Sequence, residues 1–332
     1  MDLSSNSTFE SGDYFQVDPV STTLRASYIF LDLLATLLFN TLTVFVTHNV
    51  EDFSESTTVL MTTLALSDLG VAPVVLLSFI CEVMGHWPFP NWLQYAHYFL
   101  LHTLTQISAV ILLCLNVDRY ILVTRPLRHT TLITKRRTVI MSVVICLSFV
   151  ASGIVLCCVN KVSFERSTVL SRLEHYDAPT AIYISLFGYF IPLVVLIICN
   201  VRLLMISFSQ SRRLRLIGAA PATGPSREPN HQRVHVSWMV AVRGKAVFVF
   251  SVITFAFAIS WLLYFVELFL ILTNSGKKYP VWLQYTSAWV AMSNSWWNFA
   301  IYGLMNRSFR NSVRKVLAKN IQSVRRFFGN QP

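Results

Sequence analysis

Charge is scarce in this sequence. Asp, Glu, Lys and Arg together make up 13% of the 332 residues, about half the share that clothes a soluble globular surface. A pair of water-soluble domains is therefore excluded. Disorder is excluded as well, because 54% of the chain is apolar and disordered chains are poor in such residues. With 11 Gly and 12 Pro, the composition is not that of collagen, and its charge is too low for a coiled coil. The six Cys form no CxxC pair, and only Cys157 and Cys158 are neighbours. That spacing gives neither a zinc site nor a secreted disulfide scaffold. No internal repeat is visible, which disfavours the inverted-repeat plan of transporters.

What the chain does have is apolar length. Mean hydropathy is +0.54, with 24 Phe and 8 Trp. A bilayer core takes roughly 20 apolar residues of helix. Seven stretches qualify, near 26–48, 57–82, 93–121, 138–159, 180–206, 244–272 and 281–305. They are helices rather than strands, because backbone groups in lipid must bond within their own segment and these runs do not alternate with period two. The expected fold is an all-α membrane protein, a seven-transmembrane helix bundle with a short amphipathic helix after helix seven. That last helix follows from Phe309, Val313 and Leu317 at four-residue spacing among Arg and Lys.

The 27 basic residues outnumber the 16 acidic ones, and their placement sets the orientation. Nineteen lie in 122–137, 207–246 and the tail after 305, against six on the other side. By the positive-inside rule the N-terminus is outside and the C-terminus cytoplasmic. The loop at 49–56 dissents, with Glu51, Asp52 and Glu55 and no Lys or Arg. Residues 1–25 form an extracellular tail without an apolar signal region, 26–305 the bundle, and 306–332 the amphipathic helix and cytoplasmic tail. Asn6-Ser7-Thr8 is a glycosylation acceptor. The stretch 218–233, rich in Gly, Pro, Ala and Asn, reads as a flexible loop between helices five and six.

Asp118-Arg119-Tyr120 ends helix three and is followed by Pro126-Leu127 and a basic loop. Asn40 lies in helix one, Leu64-Ala65-Leu66-Ser67-Asp68 in helix two and Pro192 in helix five. Phe257, Ser260 and Trp261 lie in helix six, and Asn294-Ser295 with Asn298-Phe299-Ala300-Ile301-Tyr302 in helix seven. Together these landmarks resemble a class A (rhodopsin-like) G protein-coupled receptor from about residue 26 to 318. The resemblance implies a plasma-membrane receptor and not an enzyme. Its partners would be a heterotrimeric G protein, arrestin, a receptor kinase and an unidentified extracellular ligand, and it takes no cofactor beyond a structural sodium ion.

Three groups of residues carry the implied mechanism. Asp68 is a carboxylate in the middle of helix two, and buried charge in a membrane is usually functional. Asn40, Ser108, Asn294, Ser295 and Asn298 sit at the family's sodium and polar-network positions, and carboxylate with neutral oxygens suits a hard cation. The plainer reading is a polar cluster that glues helices. Asp118 and Arg119 form an adjacent ion pair, with Tyr120, Asn298 and Tyr302, at the positions of the family's G protein switch; the plainer reading is an interfacial Arg that snorkels. Phe257, Trp261 and Pro192 match the relay from ligand to helix six, against ordinary core packing.

The sequence also departs from the family. Arg243 stands where an acid usually restrains Arg119, so no ionic lock forms, which implies raised basal activity. Leu263 replaces the helix-six Pro, Phe299 the helix-seven Pro, and Asn200 the helix-five Tyr. By register the pocket takes His97, Tyr98, Leu101, His102 and Thr105 from helix three. Helix six supplies Tyr264, Phe265 and Leu268; helix seven supplies Gln284, Ala288 and Met292. The amine-binding Asp is absent, since Leu101 holds its place, and Met292 replaces the retinal-binding Lys. Asp32, Glu82 and Glu267, near the outer halves of helices one, two and six, could each face a cationic ligand, with a solvated outer rim as the plainer expectation. The family's disulfide is expected to be missing, because Gln94 takes the helix-three Cys position and the loop 160–180 has no Cys. A degenerate receptor that no longer signals, and less strongly a transporter, remain as other readings.

Overall fold

Wherever the structure describes them, the long apolar runs of the sequence fold as helix. The computed structural model describes residues 19–50, 53–159, 182–183, 185–219, 230–273 and 281–329. Helix one is Pro19–Thr47, helix two Glu55–Met84, helix three Asn91–Thr124 and helix four Lys135–Val159. Helix five is Ile191–Ala219, helix six Asn230–Thr273. Six of the described helices are long and apolar enough to cross a membrane. The expected seventh is two 12-residue halves, Val281–Met292 and Asn294–Met305, divided at Ser293. The Ser293 hydroxyl donates to the Val290 carbonyl at 2.7 Å, the kind of backbone competition that bends a helix.

Local sequence explains the boundaries. Ser54 caps helix two, its hydroxyl accepting from the Thr57 amide at 3.2 Å, with Glu55 in the first turn where the helix dipole favours an acid. The same helix stops at Gly85, whose φ of 69° is the left-handed region glycine enters without strain. Helix five starts with a π-helical turn, Leu186–Phe190, in which the Ile191 amide reaches the Leu186 carbonyl. Pro192 follows at once and has no amide to donate, so the bonding register shifts by one residue there.

Three expectations need correction. The basic loop after helix three contains a short helix, Pro126–Leu132, with Pro at its first position, where its missing N–H costs nothing. Both ends of the stretch 218–233 read as a flexible loop are helical, since helix five reaches Ala219 and helix six begins at Asn230, and 220–229 lie outside the described residues. Arg, Leu and Gln in the flanks are good helix formers, and nothing obliges a helix to end at the bilayer edge. The helix after the bundle runs Arg307–Gly329, 23 residues, well beyond the short amphipathic stretch. Asn306 caps it by accepting from the Phe309 amide at 3.0 Å. Phe309 is fully buried against Phe299 and Tyr302, so this tail helix docks on the bundle through its first turn.

The helices close into a ring: one packs on two, two on three, five on six, six on the first half-helix, and the second half-helix on one. Helix three runs through the middle and also touches helices four and five. Its Ile107, Ile111, Leu112 and Leu115 meet Leu60, Met61 and Leu64 of helix two and Phe257, Ile301 and Tyr302 from the far side. The apolar side chains that remain exposed, such as Val143, Val144 and Leu147 of helix four, face outward where lipid replaces water. Helix four approaches helix three closely at Gly153. A Cβ there would collide with the Thr103 hydroxyl and lie 2.9 Å from the Phe99 ring.

Candidate functional site

The end of helix three that carries Asp118 is a closed polar knot. Asp118 is 1% exposed. It accepts hydrogen bonds from Ser56 Oγ at 3.0 Å, Thr57 Oγ1 at 2.8 Å and His129 Nε2 at 2.8 Å. Arg119 donates to Thr57 Oγ1 at 2.7 Å and lies 5.7 Å from the Phe53 ring centre. The adjacent ion pair expected from the sequence is thus mediated: Thr57 donates to the acid and accepts from the base. Ser56 and Thr57 come from the capped first turn of helix two, and His129 from the short loop helix, which is why sequence reasoning missed them. Their only signal was the Ser54-to-Thr57 cap spacing and a His three residues beyond Pro126. Tyr120 turns the other way, against Val123 and Leu203. Tyr302 is 2% exposed and packs edge-on to Phe53 at 6.3 Å between ring centres.

Deeper in the bundle, Asp68 is 1% exposed. Ser108 Oγ donates to its Oδ1 at 2.5 Å, and Asn298 Nδ2 approaches Oδ2 at 3.5 Å. Those three of the six expected network residues come together. Asn40 instead ties helix one to the second half-helix, donating to the Ser295 carbonyl at 2.9 Å. Ser295 enters through that carbonyl, and Asn294 is half-buried at the start of its helix. The Asp68 donors are neutral, and no ion pair to it occurs among the described residues. Such a charge in a lipid-flanked core calls for a counter-ion or a proton.

The relay residues form a continuous aromatic stack. Phe257 is buried with its ring centre 6.5 Å from that of Trp261. Trp261 meets Tyr264 at 5.6 Å and Phe265 at 6.0 Å. Tyr189, absent from the sequence expectations, stacks on Phe265 at 4.2 Å, and its hydroxyl donates to the Ala258 carbonyl at 3.1 Å. Pro192 lies two residues beyond the π-helical turn that carries Tyr189.

Toward the opposite end, the expected pocket residues divide. His97 Nε2 lies 2.9 Å from Ser78 Oγ on helix two, and His102 packs edge-on to Tyr98 at 4.5 Å; all three side chains are buried. Phe265 and Leu268 are also buried. Leu101, Thr105, Tyr264, Ala288 and Met292 are half-buried. The side chain of Gln284, that of Arg243, Asn6 and the loop 160–180 lie outside the described residues. All six cysteines are free thiols.

The three acids expected on a solvated rim are all buried: Asp32 is 3% exposed, Glu82 7% and Glu267 0%. Each is held by a donor from another helix. Glu82 accepts from Arg25 Nε at 2.7 Å, and the Arg25 guanidinium sits 4.2 Å over the Tyr285 ring. Asp32 accepts from Trp296 Nε1 at 2.8 Å, and Glu267 from the Ser287 hydroxyl. Isolated acids are costly in a bundle flanked by lipid, so they turn inward to a partner.

A family model described as 7 transmembrane receptor (rhodopsin family) matches residues 39–302. Among similar proteins, adenosine receptor A2b of Gallus gallus is 25% identical over 329 residues, covering 90% of each chain. Histamine H2 receptor of Cavia porcellus is 25% identical over 268 residues, 78% of this chain and 70% of that one. Galanin receptor 2b of Danio rerio is 26% identical over 239 residues, 70% and 58% respectively.

Proposed function

Because the chain belongs to the rhodopsin family of seven-transmembrane receptors, we propose that it converts an extracellular ligand, or its own basal fluctuation, into activation of a heterotrimeric G protein by outward movement of helix six. In this reading the two half-helices cross the membrane together as helix seven. The N-terminal tail is outside, and the Asp118 end is cytoplasmic, facing G protein, arrestin and receptor kinase. Residues 1–25, 26–305 and 306–332 are then tail, bundle and docked cytoplasmic helix. The observation that carries the reading is the arrangement at Asp118. Three donors fix the carboxylate, and Arg119 is parked on Thr57 with its guanidinium beside Phe53. Leaving that site breaks the bond from Arg119 to the Thr57 hydroxyl and its contact with the Phe53 ring, a step that a displaced helix six makes room for. The neighbouring loop helix offers Leu127, 92% exposed, as an apolar contact on the same face.

Asp68 supports a sodium ion held with Ser108 and Asn298: the carboxylate supplies the charge and the neighbours neutral oxygens. The relatives are named for adenosine, histamine and galanin, three different ligands, so the ligand of this receptor follows from its own pocket. Expression with a panel of chimeric G proteins, begun without ligand, tests the proposal. A basal or ligand-driven response should disappear in Arg119→Ala at unchanged surface expression. A response that survives the substitution refutes the switch, and silence across the panel favours a receptor that no longer signals.

A further inference from the structure

Helix six has no acid at its foot to hold it to Arg119, since Arg243 occupies that position. Yet a set of buried polar side chains ties it to helices three and five a little deeper. Asn200 of helix five donates from Nδ2 toward Asn116 Oδ1 of helix three at 3.0 Å and Thr254 Oγ1 of helix six at 2.8 Å. Its Oδ1 accepts from Ser251 Oγ of helix six at 3.1 Å. Thr254 Oγ1 also reaches Asn116 Oδ1 at 3.5 Å. Asn116, Asn200 and Thr254 are 0%, 6% and 5% exposed. Asn116 Nδ2 also donates to the Leu112 carbonyl of its own helix at 2.9 Å, and the two hydrogens of Asn200 Nδ2 are shared among Asn116 Oδ1, Thr254 Oγ1 and the Leu196 carbonyl at 2.9 Å.

We infer that Asn116, Asn200, Ser251 and Thr254 form a neutral clamp that holds helix six in the closed position, in place of an ionic restraint. The inference rests on the G protein reading above. Its logic is positional. Asn116 lies three residues before Arg119, and Thr254 three residues before Phe257, so the clamp sits between the aromatic relay and the switch. Ser251 and Thr254 are on the cytoplasmic side of Phe257, the side that travels when helix six swings. Their hydroxyls are carried on one carbon each and cannot follow Asn200 across an opening of several ångströms, so the bonds must break. Helices three and six approach one another sparsely, and beside the apolar packing of Phe257 the Thr254 hydroxyl adds a polar contact between them. Asn200 thus does a different task from the family's Tyr: it stabilises the closed state through three helices at once. Hydrogen bonds between membrane helices shift such equilibria modestly one at a time, so releasing several is needed for a large effect.

The experiment uses the full-length receptor. Thr254→Val and Asn200→Leu keep shape and remove the hydrogen bonding, and Thr254→Ser restores the hydroxyl. Two readouts are taken: basal G protein activation at matched surface expression, and the distance between spin labels at the cytoplasmic ends of helices two and six. Thr254→Val should raise basal activation about threefold and Asn200→Leu roughly tenfold, with the longer label distance gaining population and Thr254→Ser resembling the parent. If Asn200→Leu is retained inside the cell, the pair Ser251→Ala with Thr254→Val replaces it, since both changes are small. Label distances that stay unchanged in variants reaching the surface overturn the clamp, as does a Thr254→Ser receptor that behaves like Thr254→Val. Longer distances without added signalling uphold the clamp and refute the G protein reading instead.

Discussion

Removing Arg25 should destabilise the receptor more than removing the acid it serves. The Glu82 side chain is 5% exposed and that of Arg25 18%, so the two partners bear unequal risk. In Arg25→Ala, Glu82 stays in the bundle without its cation, and Tyr285 loses the guanidinium over its ring at 4.2 Å. Breaking one side of a buried pair costs ~3–5 kcal/mol; the partial exposure of Arg25 brings the expectation to about 2–3 kcal/mol. In Glu82→Gln the amide oxygen still accepts from Nε, Arg25 keeps Ser21 at 2.5 Å and Thr22 at 3.1 Å, and the cation has water within reach. That change should cost about 1 kcal/mol. Arg25→Met with Glu82→Gln should recover part of the Arg25 loss, because no charge is left buried. The assay is thermal unfolding of purified receptor in detergent, with a drop of roughly 4–8 °C for Arg25→Ala and about half that for the double variant. If Glu82→Gln is the more damaging single change, or the double variant is no more stable than Arg25→Ala, the pair is not coupled and the reasoning fails.

Gly153→Leu should sharply reduce surface expression, measured by flow cytometry, because even a Cβ collides with Thr103 and comes within 2.9 Å of Phe99; near-parental expression would mean helices three and four are not packed this closely. Asp68→Asn should abolish the thermal stabilisation that purified receptor gains from sodium over choline chloride. A sodium effect that persists in Asp68→Asn would leave Ser108 and Asn298 as packing contacts only.

The sequence by itself determined the helices. In lipid a segment must satisfy its own backbone, so an apolar run of sufficient length becomes a helix whatever surrounds it. The spacing of Asp118-Arg119-Tyr120, Asp68 and Trp261 was therefore readable as positions along helices. Only the tertiary structure decided what those positions touch. Which donor reaches Asp118 depends on how the first turn of helix two and the loop helix meet helix three. Ser56, Thr57 and His129 are far from it along the chain or carry no motif of their own. Asp32, Glu82 and Glu267 looked like rim acids because their places near helix ends are local facts. Their burial depends on Trp296, Arg25 and Ser287, which other helices deliver. Asn200 read as a missing tyrosine until Asn116, Ser251 and Thr254 arrived beside it from two neighbours. Hydrogen bonding within a helix is short-range and is written in composition and capping. Pairing between helices depends on rotation and rotamer across the whole bundle, and no single segment encodes it.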